Sequence, residues 1–282
     1  MKLSITIPTR NRLGLWRSGW LLSGLRAQTD QRFEAVIVVD HSSDDTTAWL
    51  EDHFKNHPPR FSVTLCEVLI PIPGPCPASC IPDNIGVHAA TGEYLLHLDD
   101  DMAINPELVA YTKKLPLSRP TGVWALTNFC RTDGKPVPGS PGKDVRLRRV
   151  SRSLSPPNPL SLVPIPPGSN WGGCYATQRE LLLSIGGGDL TCAGYHTADT
   201  RLGARIANAC GETYLSLDPH MTVTHLGTTW CRRMKIEDPN RLLLSRRSTA
   251  HNPLIANGGE AYWKSEWFSS AYRVAARFPG TA

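Results

Sequence analysis

Long apolar runs are missing from this sequence of 282 residues. No stretch comes near the roughly 20 apolar residues that a helix needs to cross a bilayer. The opening residues, MKLSITIPTR, alternate like a strand and lack the basic segment and apolar core of a secretory signal. We therefore expect a protein without membrane spans in a reducing, cytoplasmic compartment, with peripheral membrane contact left open.

Paired metal-binding cysteines are also absent. Cys76 and Cys80 are separated by three residues among prolines and the other cysteines are scattered, so there is no zinc framework of two CxxC pairs. The net charge of +5 comes from dispersed basic residues, with no basic helix and no aromatic-basic ribonucleoprotein motif. Nucleic-acid binding is therefore not expected, and polyanionic small ligands such as diphosphates are slightly favoured.

Short apolar segments alternate with amphipathic ones along the first half of the chain. The predicted strands cover residues 3–7, 33–39, 61–68 and 94–98, and the predicted helices cover residues 16–25, 46–54 and 84–90. Strands that alternate with helices predict a parallel, doubly wound sheet covered by helices. The fold class expected from the sequence is therefore α/β.

The second half is less regular. Strands are predicted over residues 122–129, 214–217 and 221–224, helices over residues 180–185 and 199–210, and a long loop over residues 132–169, which contain nine prolines. Residues 262–278 place Trp263, Trp267 and Val274 on one helical face. We expect one domain over residues 1–235, with halves 1–102 and 103–235, and a C-terminal helical extension over residues 236–282.

The segment GEYLLHLDDDM, residues 92–102, is the most informative stretch of the sequence. Its apolar part has the pattern of a strand buried on both faces, and Asp99, Asp100 and Asp101 follow at once. Three ionised carboxylates cannot all enter a dry core, so we expect them at the carboxyl end of the strand, where open α/β sheets bind ligands. Hard oxygen ligands there suit Mg²⁺ or Mn²⁺ held against a diphosphate, and an acidic turn without a ligand is the competing interpretation.

Other polar residues stand at the ends of predicted elements. The turn Thr9-Arg10-Asn11-Arg12 follows the first strand and Asp40 follows the second, so both are expected to face a ligand. Asp199 opens a helix after a segment rich in glycine, and the helix N-terminus should help to keep its carboxylate ionised. The competing interpretation is that Asp199 only caps this helix. His225 ends a predicted strand and is either a metal ligand or a structural histidine.

In their order and spacing, these motifs resemble the family 2 glycosyltransferases of the GT-A fold. IPTRNR after the first strand, VVDHSSDDT after the second, NIGVHAATGEYLLHLDDD at the centre and the Gly-rich segment before Asp199 carry the resemblance. It covers roughly residues 1–230, since this whole order occurs there, and it implies a Rossmann-like sheet and a nucleotide-sugar donor.

The resemblance also implies roles for individual residues. The nucleotide sugar would be bound by Pro8, Thr9, Arg12, Asp40, Asn84, Asp99 and Asp100. The metal, Mn²⁺ or Mg²⁺, would be held by Asp101, with His225 as a further ligand, and Asp199 would be the catalytic base. UDP is the favoured nucleotide, because a carboxylate such as that of Asp40 accepts the N3–H of uracil.

The sequence departs from the family pattern at two positions. The base usually belongs to a Glu-Asp pair, whereas Ala198 precedes Asp199 here, and an Arg often found before Asn84 is replaced by Asp83. The QxxRW motif of processive synthases is absent, which favours addition of a single sugar. A nucleotidyltransferase is disfavoured because IPTRNR lacks the Gly-rich GxGxR-type loop of those enzymes.

The sequence therefore predicts an inverting, metal-dependent transferase that moves a sugar from a nucleotide sugar to a carbohydrate or other hydroxyl acceptor. A retaining enzyme of the same fold and a non-catalytic carbohydrate-binding or nucleotide-binding protein are the alternatives. Closure of residues 132–169 and of the segment around Arg232 over the donor is also expected.

Overall fold

A computed structural model describes residues 1–69, 80–116, 118–122, 124–127, 162–165, 173–188, 198–216, 218–225 and 269–281. Its strands are β1 (Leu3–Thr9), β2 (Phe33–Val39), β3 (Ser62–Val68), β4 (Tyr94–Leu98), β5 (Met102–Ile104), β6 (Thr121–Gly122), β7 (Trp124–Thr127), β8 (Leu162–Ile165), β9 (Cys174–Gln178), β10 (Thr213–Ser216), β11 (Thr222–His225) and β12 (Tyr272–Phe278). Its helices are α1 (Leu13–Ser18), α2 (Trp20–Arg26), α3 (Thr46–Asn56), α4 (Cys80–Ala89), α5 (Leu108–Thr112), α6 (Arg179–Ser184) and α7 (Ala198–Cys210).

The central sheet contains nine of the described strands in the order β12-β3-β2-β1-β4-β9-β6-β10-β8. Strands β1 to β4 are parallel to one another, as are β6 and β10, whereas β8, β9 and β12 each pair antiparallel with their neighbours. The sheet is therefore mostly parallel in its first half. The carboxyl ends of β1, β2 and β4 lie at one edge, where such sheets bind ligands.

Alternation along each strand divides the core into two layers. In β2, Ala35, Ile37 and Val39 face one layer, which includes residues of α2, α3 and α5. Val36 and Val38 face the other layer, which includes residues of α4, α6 and α7. Successive side chains of a strand point to opposite faces, so a continuous apolar run such as FEAVIVV is buried on both sides.

The same alternation in β4 decides which helices its residues meet. Leu96 and Leu98 belong to the layer of α2 and α5, whereas Leu95 belongs to the layer of α4 and α7. His97 therefore points to the same face as Leu95. Helix α4 packs closely on this face, because a Cβ at Gly86 would lie 3.1 Å from the Cβ of Thr6.

A second sheet of three strands has the order β5-β11-β7. β11 runs antiparallel to β5 and parallel to β7, and the backbone of His225 is registered with Met102 and with Thr127. Because Met102 directly follows the three aspartates, this pairing brings the end of β11 to the same edge as the end of β4.

Most of the strands and helices predicted from the sequence are confirmed, with β2 and β4 at the expected bounds. The helix expected over residues 16–25 is instead two short helices, since Gly19 between them has a φ of +76°. This break turns the two tryptophans apart. Trp16 is 2% exposed, whereas Trp20 is 51% exposed and lies outside the core.

Two predictions in the second half were wrong over described residues. Part of the loop expected over residues 132–169 is strand β8, which pairs antiparallel with β10. The C-terminal helix expected over residues 262–278 is, from Tyr272 onward, the strand β12, which pairs with β3. A bulge between Val274 and Ala276 interrupts the two-residue alternation of β12, so its sequence did not have the pattern of a strand.

Several expectations fall outside the described residues. They include most of the 132–169 loop, the segment around Arg232 and the domain boundary at residues 235 and 236. Within the described ranges, none of the helices has the length and apolar character needed to cross a membrane.

Candidate functional site

The loops after β1 and β2 form one braced unit at the ligand edge of the sheet. Asn11 has a φ of +52° and His41 a φ of +42°, so both occupy the left-handed region that side-chain-bearing residues seldom adopt. The side-chain oxygen of Asn11 accepts hydrogen bonds from the backbone N–H of Ser43 at 2.6 Å and from its hydroxyl at 3.2 Å. The backbone N–H of Asn11 donates to the hydroxyl of Ser42. These cross-links hold the two loops in one arrangement.

Asp40 lies at the base of this unit and is 1% exposed. One carboxylate oxygen is 3.0 Å from Nδ1 of His41, and the other is 3.5 Å from a guanidinium nitrogen of Arg10. Its backbone N–H donates to the carbonyl of Thr9. A nucleobase N–H that uses this carboxylate must therefore share it with Arg10 and His41. Pro8 and Thr9, also predicted to bind the nucleotide, are the last two residues of β1.

Asp100, the middle aspartate of the three, points into the protein and is 8% exposed. It accepts a 2.6 Å hydrogen bond from the hydroxyl of Thr9, which in turn accepts one from the indole N–H of Trp16 at 2.9 Å. Nε of Arg12 lies 3.7 Å from the other oxygen of Asp100. Burial raises the pKa of Asp100 to about 7, although Arg12 opposes the shift. Asp100 and Arg12, both predicted to bind the nucleotide sugar, thus contact each other and brace the turn.

Asp99 has the most exposed side chain of the three, at 41%, and an oxygen 3.3 Å from Nε2 of His97. Its backbone N–H donates to the carbonyl of Gly173 at 2.8 Å, which fixes the start of the turn. Asp101 is 6% exposed and precedes Met102, the residue registered with His225. Asp99 is therefore placed to meet a ligand from solvent, and Asp101 lies deeper at the same edge.

The donor set at this edge fits a hard divalent cation only in part. No group of three His, Cys, Asp or Glu side chains among the described residues could hold a metal ion. Mg²⁺ and related ions are commonly bound by one or two carboxylates, with phosphate oxygens and water completing the coordination. Asp101 offers one carboxylate for that sparse type of site. The backbone of His225 is registered with the next residue, Met102.

His97 is a buried residue of the site that the sequence analysis did not identify. It is 5% exposed, stacks on the ring of Tyr175 with centroids 4.9 Å apart, and approaches the hydroxyl of Thr6 at 3.5 Å. Burial disfavours its imidazolium form, but the carboxylates of Asp83 and Asp99 outweigh burial and raise the pKa of His97. The signal available in the sequence was its place in HLDDD, two residues before the aspartates.

Asp199 and Asp83 complete the acidic cluster from the helices. Asp199 is the second residue of α7, and burial together with the charge of Asp99 raises its pKa to about 6. This direction is opposite to the one expected from the helix N-terminus alone. Asp83 lies in the first turn of α4, and burial raises its pKa to about 7, with His97 opposing the shift. The site thus gathers residues from β4, α4 and α7 around His97.

Asn84, which the resemblance assigned to the nucleotide sugar, follows Asp83 and bonds to the turn after α6. Its side-chain N–H donates to the carbonyl of Gly188 at 3.0 Å, and its side-chain oxygen accepts from the N–H of Gly188 at 2.7 Å. The residue is 1% exposed. Its amide is therefore bonded to protein backbone on both sides.

No protein-family model matches the sequence, and no curated protein matches it. Solved structures do match the fold. TarS 1-349 from S. aureus aligns with a TM-score of 0.52 and 19% identity over 80% of this chain and 60% of the TarS 1-349 chain. GalNAc-T7, solved with UDP, GalNAc and Mn²⁺, aligns with a TM-score of 0.54 and 16% identity over 80% of this chain and 44% of that one.

The mannosyltransferase PcManGT from Pyrobaculum calidifontis, solved with GDP-Man and Mn²⁺, aligns with a TM-score of 0.55 and 18% identity over 93% of this chain and 69% of that one. The chain thus spans 60% of TarS 1-349 and 44% of GalNAc-T7. These neighbours are GT-A proteins, and at such identities they show the fold of this chain, which is GT-A.

Proposed function

We propose that this chain is an inverting, metal-dependent glycosyltransferase that moves a sugar from a nucleotide sugar to an acceptor hydroxyl. Membership of family 2 and UDP as the nucleotide are parts of the proposal. The observation that carries it is the electrostatic interaction between Asp199, at the start of α7, and Asp99, directly after β4, which are a hundred residues apart in sequence. The charge of Asp99 acts on the carboxyl of Asp199, so the proposed base and the acidic strand end share one site.

In the reaction that we propose, Asp199 removes the proton of the acceptor hydroxyl. The acceptor oxygen forms a bond to the anomeric carbon while the bond from that carbon to the diphosphate oxygen breaks. The electron pair of the broken bond leaves with the nucleoside diphosphate, and attack from the opposite face inverts the anomeric carbon. A pKa of about 6 suits this role, because the carboxyl is mostly ionised at pH 7 and still close to the operating pH.

Asp101 and His225 are the proposed ligands of Mn²⁺ or Mg²⁺. When bound, the ion supplies positive charge that stabilises the leaving diphosphate. The support from this chain is the buried carboxylate of Asp101 and the register that sets the backbone of His225 opposite Met102. PcManGT and GalNAc-T7 were solved with Mn²⁺, in keeping with a divalent cofactor here.

The nucleoside end of the proposed site is the braced unit after β1 and β2. Pro8, Thr9 and Asp40 would face the base and ribose, with Asp40 accepting an N–H from the base. Uracil and guanine both offer such a donor, and the solved neighbours include complexes with UDP-GlcNAc and with GDP-Man. We propose UDP as the nucleotide and test a GDP-sugar in the same assay.

The first test is binding of nucleotide sugars with and without Mn²⁺, measured by thermal unfolding. A UDP-sugar with Mn²⁺ should raise the unfolding temperature, since a ligand specific for the folded state stabilises it by mass action. UDP-sugar without metal, and Mn²⁺ alone, are the controls. A larger shift with GDP-mannose would replace UDP in the proposal, and no shift with any nucleotide sugar would refute it.

The second test is the variant Asp199→Asn. It keeps the shape and helix-capping ability of the side chain but cannot accept the proton, so turnover should fall roughly 100-fold or more with little change in donor affinity. The anomeric configuration of the product separates inversion from retention. An Asp199→Asn protein that transfers sugar at the wild-type rate would contradict the base assignment, and donor binding without any transfer would favour a non-catalytic binding protein.

A further inference from the structure

The turn after α6, residues 185–188, is a junction between two helices of the proposed site. Gly186 and Gly187 have φ values of +74° and +66°, and their N–H groups bond back to the carbonyls of Leu183 and Leu182. Only glycine adopts two successive left-handed conformations without strain. The turn therefore ends α6 sharply and presents the backbone of Gly188 to α4.

Asn84 of α4 binds this turn through two hydrogen bonds. Its amide bonds both the N–H and the carbonyl of Gly188, at 2.7 and 3.0 Å, and it is buried. The approach is close, because a Cβ at Gly188 would lie 3.1 Å from Sγ of Cys80 on the same helix. Two hydrogen bonds in a buried site hold the two segments in one register, since the loss of either leaves a buried polar group unsatisfied.

Arg205 holds the same turn from the side of α7. Its guanidinium donates a hydrogen bond to the carbonyl of Ile185. Ile85 of α4, Leu182 of α6 and Ile206 of α7 belong to one apolar layer, so the three helices pack on the same face of the sheet. The 185–188 turn is thus bound by α4 and by α7, and α7 begins with the segment that contains Asp199.

We propose that Asn84 is a positioning residue that fixes α7, and with it Asp199, relative to the strand end at Asp99. The proposal rests on the proposed function, in which Asp199 is the base. It also departs from the sequence analysis, which placed Asn84 against the nucleotide sugar. A displacement of about 1 Å in a catalytic group can lower the rate about 100-fold. The two hydrogen bonds of Asn84 to Gly188 can therefore affect turnover without contact to a substrate.

Gln28 provides a matched control for Asn84. It is also a buried amide, 3% exposed, and it donates to the carbonyls of Gly24 and Asn105 and accepts from the N–H of Val109. These bonds join α2 to α5, in the other layer of the core. Asn84→Ala and Gln28→Ala should therefore lose comparable stability, and only the first should loosen α7.

The structural part is tested by hydrogen exchange of backbone amides, read by mass spectrometry. Peptides from the first two turns of α7 should exchange at least about 10-fold faster in Asn84→Ala than in Gln28→Ala when the two are compared at equal global stability. Equal exchange of α7 in the two variants would overturn the proposal. This measurement needs no substrate and is independent of the proposed function.

The functional part is tested by release of UDP from UDP-GlcNAc with Mn²⁺ and with water as the acceptor. Asn84→Ala, which removes both hydrogen bonds to Gly188 without adding a charge, should lower kcat about 10-fold or more and change the UDP affinity less than twofold. A large loss of UDP affinity would overturn the proposal and return Asn84 to the nucleotide site.

A double variant decides whether Asn84 acts through Asp199. The Asn84→Ala change should have almost no further effect on kcat in an Asp199→Asn protein, because residues that act as a unit are not additive. An equal factor of decrease in kcat in the wild-type and Asp199→Asn backgrounds would overturn the proposal. If the wild-type protein releases no nucleotide from UDP-GlcNAc or GDP-mannose, the proposed function fails. Faster amide exchange of α7 in Asn84→Ala would then show that Asn84 supports the structure of α7 and has no part in catalysis.

Gly188→Ala offers a second route that does not remove a hydrogen-bonding group. The new Cβ would lie 3.1 Å from Sγ and 3.2 Å from Cβ of Cys80, so it should shift the turn and lower kcat, and Cys80→Gly in the same chain, which removes both atoms, should restore much of the loss. Failure of the second substitution to restore kcat would contradict positioning through this contact.

Discussion

At the scale of single residues, the site depends on side chains that support other side chains. The hydroxyl of Thr9 both accepts from Trp16 and donates to Asp100, and Arg12 lies on the other oxygen of Asp100. The middle aspartate is thereby turned inward, and its neighbours Asp99 and Asp101 are left on either side of it. The acidic turn is built by contacts to β1 and α1 as much as by its own sequence.

Thr9→Val tests this support. The two side chains have the same shape, but valine can neither donate to Asp100 nor accept from Trp16, so the turn should lose its brace. We expect the affinity for UDP with Mn²⁺, measured calorimetrically, to fall about 10-fold, in line with one or two lost buried hydrogen bonds. Thr112→Val is the control, because the buried hydroxyl of Thr112 has no hydrogen-bond partner within the described part of the chain. Equal affinities for the two variants would show that Thr9 plays no such part.

The raised pKa of Asp199 makes a prediction for the pH dependence of turnover. Burial and Asp99 raise this pKa to about 6, and only the carboxylate anion can accept a proton. Turnover should therefore rise about tenfold per pH unit below pH 6 and level off above it. A rate profile from pH 4.5 to 8 checks this, and a profile that is flat between pH 5 and 7 would exclude Asp199 as the base.

At the scale of elements, the edge strand β12 is bound to the sheet at both ends. The hydroxyl of Tyr272 lies 2.8 Å from Nδ1 of His88, and the N–H of Leu69 donates to the carbonyl of Ala271. At the other end, the N–H of Thr281 donates to the carbonyl of Pro59. β12 thus covers the edge of β3, whose backbone groups would otherwise be open to pairing with another chain.

Gly280→Ala should loosen the C-terminal end of this strand. A Cβ at position 280 would lie 2.3 Å from the backbone oxygen of Arg60, and backbone cannot move aside as a flexible side chain can. We expect a loss of about 1–3 kcal/mol in the free energy of unfolding, measured with urea. Gly14→Ala, which meets no atom within 4 Å and lies in a helix, should instead be neutral or stabilising by up to ~1 kcal/mol. Similar stabilities for the two variants would show that residue 280 is not held against Arg60.

At the scale of the whole molecule, charge is distributed unevenly. The chain carries a net charge of +5, yet Asp40, Asp83, Asp99, Asp100, Asp101 and Asp199 lie at the ligand edge of the sheet or in the helices packed beside it. Carboxylates crowded in this way repel one another and are costly to ionise where they are buried. A bound divalent cation would relieve that cost.

Asp83→Asn tests the cost of ionising a buried carboxylate, through the pH dependence of the free energy of unfolding. The pKa of Asp83 is raised to about 7 in the folded protein, so the folded state holds a proton that the unfolded state releases near pH 4. The stability from this group is complete below pH 4 and is lost as the pH rises through 7. The free energy of unfolding of the variant, relative to that of the wild type, should therefore increase by at least ~1 kcal/mol between pH 5 and pH 8, measured with urea and without metal. A difference that does not change with pH would contradict the raised pKa.

Local patterns in the sequence determined much of this protein. The buried strands β2 and β4, the aspartates that follow them and the helix that Asp199 opens were all predictable. Each depends on the composition of a single segment, since a short, continuous apolar run favours a strand buried on both faces and ionised carboxylates must leave the core at the strand end. Their alternation predicted a parallel α/β sheet, and the resemblance carried by the order of the motifs implied the GT-A fold.

Only the tertiary structure decided which distant residues meet. Residues 272–278 are a strand because the edge of β3 offers backbone partners, and the bulge after Val274 hid the strand pattern. Asn84 bonds to Gly188, 104 positions away. The charges of His97 and Asp83 act on each other because β4 turns that face toward α4. Such contacts depend on strand order and helix packing, which arise from the burial of the whole chain and leave no trace in the periodicity of any one segment.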